Sequence, residues 1–203
     1  MRFWPAQPPS LRNSIDRYST ETANVVCSLL PFMAADMGLK QPERLLEMFA
    51  GQPQAMRVSY YPPCRQAGKV IGLSPHTDVC TMTLLLHVND VQGLQIRRDD
   101  GKWLAVDPLD GALIVSIGDI FEILSNGRYR SVEHRAMVHP DKERISVAMF
   151  HLPCPTITVG PVPELIEGSA NARYKSTGYA QFIEHFFTTK LDGRRSNLEY
   201  YRI

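Results

Sequence analysis

His76 and Asp78 stand two residues apart in "SPHTDVCTMTLLL" (residues 74–86), just ahead of an apolar run that reads as a strand. In an extended chain, residues i and i+2 point to the same face. The imidazole and the carboxylate therefore reach toward one point, with Thr77 turned away. Both are good metal ligands and poor core residues, and two ligands facing one way call for a third. His87 ends a strand, His139 sits in a turn, His185 lies on the last helix, and His151 faces away from Arg144, Ser146, Ala148 and Phe150. His134, within "YRSVEHRAMV", is the candidate to close the site. The pattern is then His76-x-Asp78, a gap of 55 residues, and His134. Two neutral imidazoles and one carboxylate on one side of an ion leave the opposite positions open. That suits a non-haem Fe(II) centre that takes substrate and O2 at the metal. A metal hydrolase uses the same ligand types, and a strand histidine is also a common core or surface group.

In "RISVAMF", Arg144 and Ser146 again share a face. Pairing as a hairpin with the His134 strand, across "HPDKE", brings them near the metal. A guanidinium fork and a hydroxyl facing into a barrel are costly unless they bind something. A carboxylate fits both donors, and a small acid can then bridge metal and clamp. A hydrolase needs no such anchor. The plainer alternative is a surface ion pair between Arg144 and Glu133 or Glu143. Tyr61 ends the strand "MRVSYY" at Pro62-Pro63, which fixes a turn, and Arg57 and Ser59 share its face. The alternative for Tyr60-Tyr61 is a plain aromatic strand pair.

The elements that must position these groups follow from periodicity. The chain has 203 residues, enough for one domain with a sizeable core. Its net charge of +1, with no Lys/Arg run, argues against nucleic acid as a partner. No apolar stretch approaches the roughly 20 residues of a membrane helix, and "MRFWPAQPPS" has no apolar signal core. Four widely spaced cysteines with no CxxC pair argue against structural zinc and for a reducing compartment, the cytoplasm. Residues 1–55 read as helical. Ser10 caps the first helix, Pro31 kinks or interrupts it, Gly38 stops it, Pro42 opens a second helix and Gly51 ends that one. About eight short strands follow from residue 56, including a hairpin around Asp99-Asp100-Gly101 and "GALIVSIG", which is apolar on both faces and so buried. "IFEILSNG" is a helical turn closed by Gly127. A last helix places Tyr179, Phe182, Ile183, Phe186 and Phe187 on one face, with Gly193 after it. The expected fold is mainly β with flanking helices: a jelly roll, or double-stranded β-helix, with N- and C-terminal helices packed outside. The expected division is a helical segment 1–55, a jelly-roll core 56–160 and a C-terminal extension 161–203.

"SYYPPC", "GLSPHTD", "GLQI", "IGDIFEILSNGRYRSVEHR" and "ERISVAMF" together resemble the plant-type 2-oxoglutarate- and Fe(II)-dependent dioxygenases, from about Arg57 to Phe150. The group includes anthocyanidin synthase, flavonol synthase, codeine demethylase and senescence-related oxidases. The resemblance implies Fe(II) held by His76, Asp78 and His134, and 2-oxoglutarate chelating that iron. Arg144 and Ser146 would hold its far carboxylate with help from Tyr61, and assays would call for ascorbate. It implies a monomer that uses O2 to hydroxylate, desaturate or demethylate a small plant metabolite or hormone. Arg57 falls where relatives carry Lys or Arg, and Ser59 replaces a usual Asn. Phe150 falls at a flavonoid-stacking position, and Leu152 replaces an acid found there. Relatives carry a further N-terminal section. The chain therefore resembles the C-terminal part of such an enzyme, and a truncated, weakly active or non-catalytic remnant is the alternative.

Overall fold

A computed structural model describes residues 5, 7–49, 51, 53–167, 171–188 and 196–203. Two helices come first, α1 (Leu11–Met37) and α2 (Glu43–Glu47). Strands β1 (Gln54–Tyr61), β2 (Ile71–His76), β3 (Met82–His87), β4 (Leu94–Arg97), β5 (Trp103–Ala105) and β6 (Leu113–Ile117) follow. Helix α3 (Asp119–Leu124) separates these from β7 (His134–Met137) and β8 (Arg144–His151). A two-stranded pair, β9 (Thr158–Val159) with β10 (Thr177–Gly178), leads to α4 (Tyr179–Thr188) and α5 (Ser196–Tyr201).

The eight main strands form two four-stranded antiparallel sheets, in the orders β1-β8-β3-β6 and β2-β7-β4-β5. This is the jelly roll expected from the strand count, with helices outside it. Pairing differs from expectation at one connection. β7 and β8 do not form a hairpin across "HPDKE", because both edges of each strand are taken. β8 lies between β1 and β3, and β7 lies between β2 and β4. The connection therefore crosses from one sheet to the other. Its turn is built on His139, whose Nδ1 accepts from the amides of Asp141 (3.1 Å) and Lys142 (3.0 Å). The His139 carbonyl accepts from the Cys64 amide at 2.9 Å, just after Pro62-Pro63. The other hairpin forms as expected, with Arg97 opposite Trp103 and Gly101 at φ 79°, a left-handed angle that glycine adopts without strain.

The apolar core lies outside the first sheet. Val26, Leu30, Ala34 and Met37 recur at helical spacing on α1 and pack with Leu45, Phe49, Met82, Leu84 and the apolar side chains of α3. Phe182 of α4 and Leu198 of α5 close the same core. Four local expectations give way. Pro31 does not interrupt α1. Its side chain is exposed to solvent. Each buried side chain of the α1 row is worth about 1.5–3 kcal/mol, and together they outweigh the ~3 kcal/mol of an interior proline. Ser10 has helical angles and makes no side-chain cap; instead the Leu11 amide reaches the Pro8 carbonyl at 3.0 Å. On α4, Phe182 is fully buried but Phe187 is 77% exposed, so the aromatic stripe is narrower than its spacing predicts. β6, read as covered on both faces, is an edge strand, and its Val115 is 43% exposed. Gly193 lies outside the described residues. Among those residues, no helix is long and apolar enough to cross a membrane.

One buried carboxylate ties the layers together. Glu122 on α3 accepts from the Ser131 amide and from the Tyr174 hydroxyl, both at 2.6 Å, and Arg202 lies 3.8 Å away. It thereby fixes the segment entering β7 to α3 and to the C-terminal residues. A hydrogen bond to a buried charge is worth about 1.5–3 kcal/mol. Glu122→Gln, which keeps the shape but sets an NH2 donor against donors, is expected to cost about that much. Thermal unfolding would read it as a midpoint lower by ~2–4 °C per kcal/mol for a chain of this size.

Candidate active site

His76 and His134 lie directly opposite each other on β2 and β7. Their ring centroids are 4.3 Å apart, and each Nε2 is 3.7 Å from Asp78 Oδ1. The three ligand atoms all lie within 4.8 Å of one another. Each histidine is oriented by its own chain two residues back: Nδ1 of His76 donates to the Ser74 carbonyl at 2.8 Å, and Nδ1 of His134 to the Val132 carbonyl at 3.1 Å. A carbonyl only accepts, so Nδ1 carries the proton and Nε2 presents its lone pair to the centre. Burial, and next the nearby His134, hold the His76 pKa below its ordinary value, which favours the neutral ligand form.

Asp78 is 8% exposed, and its second oxygen accepts from the Thr83 hydroxyl at 2.6 Å. Its carbonyl accepts from the Asp119 amide at 2.7 Å, and the Thr77 hydroxyl donates to the Asp119 carboxylate at 3.1 Å. The turn from β6 into α3 thus clamps the His-Thr-Asp loop. Gly118 makes this approach possible, because a Cβ there would stand 2.0 Å from the Cys80 carbonyl oxygen. The donor set fits Fe(II): two imidazoles of fixed tautomer and one oriented carboxylate, all gathered at one end of a cavity.

That cavity, of about 350 Å³, runs between the sheets and reaches Tyr61, Arg144 and Ser146. Arg144 is 2% exposed and pairs with neither Glu133 nor Glu143. Glu133 binds Arg97 at 2.8 Å, and Glu143 accepts from the Tyr60 hydroxyl at 2.9 Å. Arg144 instead faces inward, its guanidinium carbon 5.2 Å from the Tyr61 ring centroid and one terminal nitrogen 3.5 Å from Ser146 Oγ. The register explains the grouping: Tyr61 lies opposite Arg144, and Ser59 opposite Ser146. Burial lowers the Arg144 pKa and Tyr61 opposes that shift, but a guanidinium stays charged. Arginines 57, 135 and 144 line the cavity with the carboxylate of Asp78, and a fourth, Arg130, is paired with Asp99 at 2.8 Å, a balance that leaves the cavity cationic and attracts anions.

Arg57, Ser59 and Phe150 also line this cavity, whereas Leu152, past the end of β8, does not. Sequence reasoning missed Thr83, Gly93 and Gly118. Thr83 follows Asp78 by five residues, and its inward alternation along β3 was a usable signal. A Cβ at Gly93 would stand 2.7 Å from Arg144 Cδ, so the glycine makes room for the arginine stem. Nothing local to "GLQI" announces that neighbour.

Comparison with known proteins agrees with this geometry. Residues 52–153 match the sequence model of the 2OG-Fe(II) oxygenase superfamily. The chain is 53% identical over 194 residues to 2-oxoglutarate-dependent dioxygenase 11 of Oryza sativa subsp. japonica, covering 96% of this chain and 54% of that protein. It is 42% identical over 190 residues to thebaine 6-O-demethylase of Papaver somniferum, covering 92% and 52% respectively. The crystal structure of JOX2 in complex with 2OG, Fe and JA superposes with a TM-score of 0.89 at 38% identity, over 98% of this chain and 59% of that one. The chain thus spans about half the length of the curated relatives it matches. With a sequence model matched across half its length and relatives of this identity, the chain belongs to the plant-type branch of the 2OG-Fe(II) oxygenase superfamily.

Proposed function

We propose that this protein is an Fe(II)- and 2-oxoglutarate-dependent oxygenase that hydroxylates, desaturates or demethylates a small plant metabolite or hormone. The carrying observation is one cavity with His76, Asp78 and His134 at one end and, at the other, a buried Arg144 beside Ser146 and Tyr61 that has no carboxylate partner among the described residues. Relatives named as demethylases and as a flavanone 3-dioxygenase support a small organic substrate. Fe(II) held by the three ligands would supply the oxidative decarboxylation of 2-oxoglutarate to succinate and CO2 by O2, coupled to oxidation of a substrate C–H bond.

The chain's own residues bind and orient. Ser74 and Val132 hold the imidazoles with Nε2 inward, and Thr83 turns Asp78 so that Oδ1 faces the histidines. Arg144 and Ser146 take the distal carboxylate of 2-oxoglutarate in a two-pronged hold, with the Tyr61 ring on the guanidinium. Leu73, Leu85, Leu94 and Ile96 keep the space between the two ends apolar and limit water around the bound acids.

Turnover of 2-oxoglutarate to succinate by purified protein with Fe(II) and ascorbate tests the activity. Tight binding of both without succinate would favour the non-catalytic alternative. His76→Ala, Asp78→Ala and His134→Ala are each expected to abolish stoichiometric iron binding; one iron per chain retained in two of the three would overturn the site. Arg144→Lys keeps the charge but loses the fork, and a lost charged hydrogen bond of about 1.5–3 kcal/mol weakens 2-oxoglutarate binding about ten- to a hundredfold with iron retained. An unchanged KM for 2-oxoglutarate would remove Arg144 from that role. Thr83→Val frees the second Asp78 oxygen and is expected to lower metal affinity about ten- to a hundredfold, read by metal titration.

A further inference from the structure

Beside Ser146, on the side away from Ser59, stands His87. The register of β3 against β8 sets His87 directly opposite Ser146. Opposed residues of an antiparallel pair share a face, with Cβ atoms about 4.5–5.5 Å apart. His87 also follows Leu85 on the same face of β3; Leu85 and Ser146 line the cavity, and His87 lies just beyond its lining residues. Ser59, Ser146 and His87 therefore form one row across three strands, next to the row of Tyr61 and Arg144. The end of β3 is pinned in this register by Asn89. Its side-chain nitrogen donates to the Glu143 carbonyl at 2.8 Å, and its oxygen accepts from the Ile145 amide at 3.1 Å.

Both His87 ring nitrogens are shielded from solvent and have no hydrogen-bond partner among the described residues. The same holds for Arg144 Nε, on a side chain that is 2% exposed. Shielded polar atoms without partners are rare in folded proteins and are costly. Here they sit together beside a fixed cation and a hydroxyl, and a dicarboxylate end satisfies such a cluster. From this juxtaposition we infer that His87 is a further cosubstrate-binding residue, donating a ring N–H to the distal carboxylate of 2-oxoglutarate beside Arg144 and Ser146. The role rests on the proposed use of 2-oxoglutarate. Burial, and after it the Arg144 charge, lower the His87 pKa, so the ring is neutral near pH 7 and carries one N–H to donate.

The test uses the full chain loaded with Mn(II) in place of iron, under anaerobic conditions. Affinity is measured for 2-oxoglutarate and for 2-oxobutanoate, which has the same keto acid head but no distal carboxylate. His87→Phe keeps a planar ring without nitrogens, and His87→Gln keeps a donor. His87→Phe is expected to weaken 2-oxoglutarate binding about tenfold while leaving Mn(II) and 2-oxobutanoate affinity unchanged. His87→Gln is expected to recover most of the loss. A His87→Phe protein that binds 2-oxoglutarate like the wild type, or that loses affinity for both acids equally, overturns the assignment. A wild-type protein that binds the two acids equally well would instead sink the use of 2-oxoglutarate itself, and this role with it.

Discussion

A guanidinium almost entirely withdrawn from water, with no carboxylate partner among the described residues, is the constraint around which the barrel is built. Desolvating a charge without a counter-charge is expensive, so the surroundings of Arg144 are specialised. Tyr61 offers its ring face, Gly93 makes room for the stem, and Ser146 sits beside the fork. None of these neutralises the charge. The remaining electrostatic demand points into the cavity, toward the end where Asp78 and the two histidines stand, and an anionic ligand meets it.

The other end of the cavity is organised by backbone rather than by charge. The histidines are aimed by carbonyls of their own strands, and Asp78 is held through its second oxygen and its peptide. The close approach of Gly118 to Cys80 lets α3 sit against this loop, and Glu122 on the same helix steadies the segment that delivers His134. Because the apolar core lies outside the first sheet, the space between the sheets is left free for ligands.

Much of this was legible in the sequence because strand alternation has a period of two. Whether residues 76 and 78, or 144 and 146, face one way needs no tertiary knowledge. The pairing of strands was not legible. "HPDKE" carries the same turn chemistry whether its flanking strands pair with each other or with strands far away, and here the edges of β7 and β8 were already taken. Pro31 shows the same limit, since a row of buried side chains along the helix outweighed a strong local preference. The roles of Gly93 and Gly118 depend on neighbours distant in sequence or fixed only by the fold, so composition could not announce them.

The sheet-crossing turn has a further consequence. It joins the strand of His134 to the strand of Arg144, with His139 Nδ1 accepting from two amides of the turn and the Cys64 amide donating to the His139 carbonyl. His134 and Arg144 are therefore joined by a short hydrogen-bonded turn while each is held in a different sheet. Lengthening a surface loop elsewhere leaves that connection alone. Adding or removing one residue within β7 or β8 would turn His134 or Arg144 to the wrong face of its sheet.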